Sequence, residues 1–277
     1  MNIYPIQTGT VAIKSRQRIG QGQGLMRQVN LLFDHSWTEF LPIYAWVIEH
    51  SEGVVVVDTG ETARTAQPDY FPKWHPYYRF AVRMNVLPEH EIGPQLRSLG
   101  IKPQDVKKVI LTHFHTDHAG GLSHFPSSEI LVSEQDYRIA RTISGRMSGY
   151  LPQHWPSWFT PTGIRFEQAS LGPFKNSYRV TTQGDVIVVP TPGHTAAHVS
   201  VIVRDDDCYF FLAGDTSYTE QALIERQVDG VSPNAKVALQ TIDNILEFAE
   251  NQRLVYLPSH DPQSTVRLEK RQTLSAG

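Results

Sequence analysis

A single cysteine, Cys208, leaves no partner for an intrachain disulfide and excludes any multi-cysteine zinc site. Long apolar runs are also missing: none approaches the roughly 20 residues that a membrane span requires. No lysine- and arginine-rich stretch stands out, and 25 Lys+Arg against 28 Asp+Glu give a formal net charge of -3. That balance argues against a mainly electrostatic grip on nucleic acid or on an anionic membrane. Met1 to Thr8 shows neither the charged n-region nor the apolar h-region of a signal peptide, so a soluble, cytoplasmic protein is expected. Fixed-period repeats, low-complexity tracts and an interrupting linker are absent too, which predicts one domain over residues 1–277. Its length suffices for a sizeable core.

What is present is a series of apolar runs bounded by turn residues. Ile43–Ile48 and Val54–Val57, joined by a short link ending in Gly53, read as a hairpin. Further strands are expected at Val109–Thr112, Ile130–Val132, Val186–Val189, Val199–Val203, Tyr209–Leu212 and Leu254–Leu257. Several are apolar throughout, as strands covered on both faces should be. Between them lie helical signals. Ile92, Leu96 and Leu99 keep helical spacing up to Gly100, and Ser133 is placed to cap a helix carrying Glu134 in its first turn. The clearest helix spans about Pro233 to Glu250, with Ser232 as its expected N-cap. This alternation predicts a layered α/β or α+β domain.

Residues 61–90 and 144–178 are aromatic and broken by proline. They read either as covering loops inserted in the domain or as packing that shields sheet edges.

The strongest chemical signal is Thr112-His113-Phe114-His115-Thr116-Asp117-His118, directly after an apolar strand. So many imidazoles beside a carboxylate would repel one another if protonated, whereas a divalent cation binds them neutral. A sharp turn after Thr112 lets His113 and His115 point to one cation and Asp117 and His118 to a second. His194, Asp215 and His260 each follow another apolar strand, with small or turn residues between. One such residue is weak evidence; several strand ends delivering His or Asp form a sharper pattern.

This pattern resembles the metallo-β-lactamase superfamily, whose signature His-x-His-x-Asp-His is met in full by positions 113–118. The resemblance runs from about Ile43 to His260 and implies an αββα sandwich of two mixed β-sheets flanked by helices. It also implies that His113, His115 and His194 hold one metal, that Asp117, His118 and His260 hold the other, and that Asp215 bridges them. Asp58 matches an aspartate that supports the ligand loop in the family; an ordinary turn residue is the other reading. True β-lactamases of the superfamily usually have cysteine where Asp215 stands, and Cys208, seven residues upstream, reads instead as a small buried strand residue. Tyr218, three residues after Asp215, makes the chain look most like the N-acyl homoserine lactone lactonases, in which a tyrosine contacts the substrate carbonyl region. His194-Thr195-Ala196-Ala197-His198 departs from many relatives, which have glycine at the position of Ala197. His198 is expected to support the site rather than ligate.

The resemblance implies hydrolytic opening of a lactone ring by a metal-activated water, with Tyr218 stabilising the oxyanion and Asp117 carrying a proton to the leaving alkoxide. Two divalent ions are expected, zinc by default, with manganese, iron or cobalt as the alternatives that a site without thiolate leaves open. The acyl tail of the substrate requires an apolar groove. The aromatic segments, Trp155 and Trp158 among them, or the apolar stretch around Leu25, Met26, Leu31, Leu32, Phe33, Trp37 and Phe40 are candidates for it. A homodimer is expected from the same resemblance, with no nucleic-acid partner. The alternative is a thioesterase of glyoxalase II type or another ester or phosphodiester hydrolase of this fold. Glyoxalase II normally carries an added helical region, for which the short stretch after His260 leaves little room.

Overall fold

The computed structural model describes residues 1–274. The chain forms two compact units, one built from Met1–Ile13 and Thr38–Ile164, the other from Lys14–Trp37 and the described residues from Arg165 onward. Each unit is centred on one mixed sheet with its own helices. Among the described residues no helix is long and apolar enough to cross a membrane.

The first sheet has strands β1 (Asn2–Ile13), β2 (Leu41–His50), β3 (Gly53–Val57), β4 (Val82–Asn85), β5 (Val106–Ile110), β6 (Glu129–Ser133) and β7 (Thr162–Ile164), in the order β4-β1-β2-β3-β5-β6-β7. The expected hairpin is β2–β3, antiparallel from Trp46 opposite Val57 to His50 opposite Gly53. β3, β5, β6 and β7 then run parallel. Parallel strands are covered on both faces, which explains the unbroken apolar runs Val54–Val57 and Ile130–Val132. Helix Ile92–Ser98 buries Ile92 and Leu96 in this unit's core. It ends as the sequence predicts: the Gly100 amide bonds the Arg97 carbonyl and the Ile101 amide the Leu96 carbonyl, a Schellman closure. Ser133 caps helix Glu134–Ala140 by accepting from the Asp136 amide at 3.3 Å.

In the second unit β8 (Tyr178–Arg179), β9 (Val186–Pro190), β10 (Val199–Asp205), β11 (Cys208–Gly214) and β12 (Leu254–Pro258) are ordered β12-β11-β10-β9-β8. Helix Ala235–Asn251 lays Ala238, Ile242, Ile245 and Leu246 onto this sheet's core. Its cap is Asn234, which accepts from the Lys236 and Val237 amides, and not Ser232. The Ser232 amide is instead tied to the Asp229 carboxylate at 2.6 Å, which delays the helix by two residues. Cys208 is buried in β11 as expected, and burial pushes its thiol pKa up.

The aromatic segments are only partly loops. Residues 61–90 include β4 and a short helix, Pro76–Phe80. Residues 144–178 include β7. Tyr70, Tyr78, Tyr150, Phe159 and Phe174 are buried, whereas Trp74, Phe80 and Trp158 are exposed. In the stretch proposed as groove wall, Met26, Phe33 and Phe40 are exposed and Leu31 is buried.

Candidate metal centre

In the first unit the parallel neighbours β3 and β5 end side by side, Val57 opposite Ile110. The residues that follow them, Asp58 and Thr112–His118, therefore share one edge of the sheet. Beyond β5 the chain bends at Thr112 and again at His115, and the two imidazoles of His113 and His115 bring ring nitrogens within 2.9 Å of each other. His113 and His115 fall on one side, while Phe114 enters the core at 1% exposure. Burying such a ring is worth roughly 2–3 kcal/mol and anchors the loop between the two imidazoles. His115 then occupies the cap position of a short helix, Thr116–Ala119, which carries Asp117 and His118. Ligand atoms of His113 and His118, and of Asp117 and His118, lie within 4.8 Å of each other.

Asp58 organises this loop. Its carboxylate accepts from the Thr112 amide (2.8 Å), the Thr112 hydroxyl (2.9 Å) and His118 Nδ1 (2.8 Å), all buried. Its own backbone sits at φ 60°, a left-handed conformation that aspartate tolerates better than most residues. This is the supporting role that the family resemblance implies, not that of an ordinary turn residue. The next residues clasp the ligand helix from the other side. The His118 carbonyl accepts from the Thr59 amide (2.7 Å) and hydroxyl (2.9 Å). A Cβ at Gly121 would stand 2.3 Å from the Thr59 carbonyl oxygen, so the backbones meet here only because that residue is glycine.

The hydrogen bonds also assign the tautomers. Thr112 donates its hydroxyl proton to Asp58, so it accepts from His113 Nδ1 (3.1 Å), and the lone pair of His113 is on Nε2. His115 Nε2 faces the Ser148 carbonyl at 3.1 Å and must carry its proton there, which puts its lone pair on Nδ1. These two lone-pair nitrogens are 2.9 Å apart. Two imidazole lone pairs at this distance repel unless a proton or a metal cation lies between them, so the donor set fits a metal ion.

The second unit repeats the arrangement. β9, β11 and β12 all run the same way, because β10 is antiparallel to both of its neighbours and β11 is parallel to β12. Their C-terminal ends, at one edge, are followed by His194, Asp215 and His260. Asp215 turns one carboxylate oxygen to each imidazole: Oδ2 is 3.4 Å from His194 Nε2 and Oδ1 is 3.4 Å from His260 Nε2. A carboxylate with a different imidazole at each oxygen can offer a ligand atom on both sides. His198 is occupied elsewhere, accepting the Asp215 amide on Nε2 (3.1 Å) while its Nδ1 meets the Thr191 hydroxyl (2.9 Å).

Three residues of this unit, Asp229, Arg27 and Gln17, support the site without a motif that marks them in the sequence. Asp229 receives His194 Nδ1 at 3.0 Å and so fixes the His194 lone pair on Nε2. Arg27 holds the Asp229 loop in place, its guanidinium bonded to the carbonyls of Val228 and of Asp229 (2.6 Å). Gln17, buried in the same N-terminal segment, donates its amide to the Tyr218 hydroxyl oxygen at 2.9 Å. The Tyr218 ring lies against His260, their centroids 5.5 Å apart and planes 25° from parallel. Asp229 follows no strand and Gln17 lies in a polar stretch, so neither carried a signal beyond its residue type.

The Metallo-beta-lactamase superfamily profile matches residues 38–260. The chain belongs to this superfamily. N-acyl homoserine lactonase AttM of Rhizobium radiobacter is 26% identical over 98% of this chain and 97% of its own length. An N-acyl homoserine lactonase from a Bacillus species is 27% identical over 80% of this chain and 82% of its own. Among solved structures, an N-acyl homoserine lactone hydrolase with N-hexanoyl-L-homoserine at its catalytic metal centre matches with a TM-score of 0.74 at 20% identity, covering 95% of this chain and 94% of that one. AidC, a dizinc quorum-quenching lactonase, matches at 0.64 with 13% identity, covering 94% and 87%. The metallo-β-lactamase fold is thus shown for nearly the whole described chain, and its two mixed sheets flanked by helices are those described above.

Proposed function

We propose that the chain is a metal-dependent hydrolase that opens the lactone ring of N-acyl homoserine lactones. The observation that carries the reading is the pair of facing lone-pair nitrogens on His113 and His115, in a chain whose relatives over nearly its full length are named as such lactonases. Both units would contribute to one domain. His113, His115 and His194 would hold one divalent ion, Asp117, His118 and His260 a second, and Asp215 would be shared. Imidazole and carboxylate donors without a thiolate suit zinc, and also manganese, iron or cobalt. Bound there, the ions supply Lewis-acid polarisation of the ester carbonyl and bring the pKa of water down to about 7.

The remaining work falls to side chains. Asp58 and Asp229 hold the ring proton of His118 and His194 on Nδ1, which leaves each lone pair on Nε2 and the ring aimed. Because the Tyr218 oxygen already accepts from Gln17, its own O–H is directed to another acceptor, and donation to the developing oxyanion is the use we assign to it. Asp117 carries a proton to the alkoxide oxygen as the ring opens. We place part of the acyl tail against Phe114, Leu151 and Trp155, the apolar side of a first-unit pocket whose other side includes Thr62, Arg64, Thr116, Ser123 and His154.

Acid release from hexanoyl and decanoyl homoserine lactones by zinc- or cobalt-loaded protein tests the reading, with Asp117→Asn as the control. Rapid opening that the variant loses is expected. No opening by fully metallated protein overturns the substrate assignment and directs the search to thioesters.

A further inference from the structure

We infer that His75 and Tyr78 are positioning residues for His115, acting through the backbone carbonyls of residues 147–149. The inference rests on His115 being a metal ligand, as proposed above.

Three consecutive carbonyls in this segment accept hydrogen bonds from three different rings. Met147 O faces His75 Nε2 at 3.2 Å, Ser148 O faces His115 Nε2 at 3.1 Å, and Gly149 O accepts from the Tyr78 hydroxyl. The middle contact sets the His115 tautomer, since a carbonyl can only accept and therefore holds the ring proton on Nε2. A loop carbonyl does this reliably only if its peptide plane cannot swing. Rotation of the Ser148 peptide would displace the planes on either side, and both are clamped by groups of a different segment. His75 and Tyr78 occupy the cap and third residue of helix Pro76–Phe80, their rings 5.1 Å apart, so they act as one clamp.

Neighbouring features point the same way. Gly149 has φ 95°, a conformation nearly confined to glycine, and this turn brings the chain back towards His115. Tyr150 then packs its ring 5.1 Å from that of His115 and ties its hydroxyl to Asp136 at 3.0 Å. The aromatic stretch after Glu61 is thus joined, through a strap of main chain, to the imidazole whose lone pair must face His113. Loss of either clamp lets the Ser148 carbonyl turn away, and the proton can move to Nδ1, where it blocks the metal.

The test is competition for cobalt(II) between the protein and a chromophoric chelator, with the visible spectrum of the cobalt protein recorded in parallel. Tyr78→Phe removes one oxygen and keeps the ring stacked on Phe71, 4.5 Å away. Together with His75→Ala it is expected to weaken one of the two bound ions about tenfold, the scale typical of such supporting contacts, and to alter the spectrum of that ion alone. His75→Gln, which can still donate to a carbonyl, should recover most of the loss. Parental affinity at both sites, or equal weakening of both, overturns the inference. His115→Ala separates its two layers. If that variant keeps both ions at parental affinity, the ligand assignment itself fails. If it loses one ion while Tyr78→Phe and His75→Ala lose none, only the clamp fails.

Discussion

His194 Nδ1 lies 3.0 Å from the carboxylate of Asp229, whose other oxygen accepts the amides of Val231 and Ser232. One carboxylate thus folds its own loop and orients an imidazole on a different loop. Asp229→Asn keeps an oxygen able to serve the two amides but lowers the basicity of His194. The expected result is a 10–100-fold loss of affinity for one metal ion, measured by chelator competition, with little change in the urea midpoint of the metal-free protein.

Asp58 differs in what it carries. Three buried donors converge on it, and its own backbone is left-handed. Asp58→Ala strands those donors and adds backbone strain, so it should destabilise the metal-free protein by about 3 kcal/mol or more in urea unfolding. Asp58→Asn retains an acceptor and tolerates the same φ, and is expected to lose clearly less.

The contrast between these aspartates shows what the sequence could and could not reveal. Asp58 directly follows an apolar strand, as an ordinary turn residue also would, and only the family resemblance singled it out. Strand-end position and residue type marked His194, Asp215 and His260, because parallel strands bring their C-terminal ends to one edge. Asp229 lies in a loop and Gln17 in the short helix Ser15–Arg18, both placed by tertiary contacts such as Gly230 N on the Gln17 carbonyl and Arg27 on the Val228 and Asp229 carbonyls, and no local period encodes those. β1 was hidden for a related reason: Pro5 and Gly9 interrupt its pattern, yet pairing with β2 and β4 on its two sides makes it a long strand. The helix cap moved from Ser232 to Asn234: the Asp229 carboxylate, three residues earlier, holds the serine amide, while Asn234 accepts the Lys236 and Val237 amides.

Glu61 offers a test by pH. It is fully buried, and desolvation raises its carboxyl pKa from 4.5 to about 8 despite hydrogen bonds from the Thr62 amide and the Tyr70 hydroxyl. In the folded protein it holds its proton through a range where the unfolded chain has released it. Its contribution to stability is therefore fully present below pH 4.5, falls as pH rises, and levels off above about 8. Metal-free protein should lose a few kcal/mol across that window, and Glu61→Gln should flatten this part of the profile. A slope unchanged in the variant would assign the pH dependence to other groups.

Tyr218 and Gln17 allow the proposed oxyanion contact to be separated from metal binding. The phenol oxygen accepts from the Gln17 amide, while the ring rests on His260. Removing the hydroxyl leaves that ring contact in place, so Tyr218→Phe should keep its metal content and unfolding midpoint. If the O–H stabilises charge on the carbonyl oxygen, kcat for lactone opening should fall about 100-fold with KM changed much less, because the interaction strengthens only as the charge develops. Gln17→Leu removes the donor that polarises the phenol and should reproduce a smaller part of the same kcat loss. A Tyr218→Phe enzyme with parental kcat would remove the tyrosine from the chemistry and leave it a packing residue beside His260.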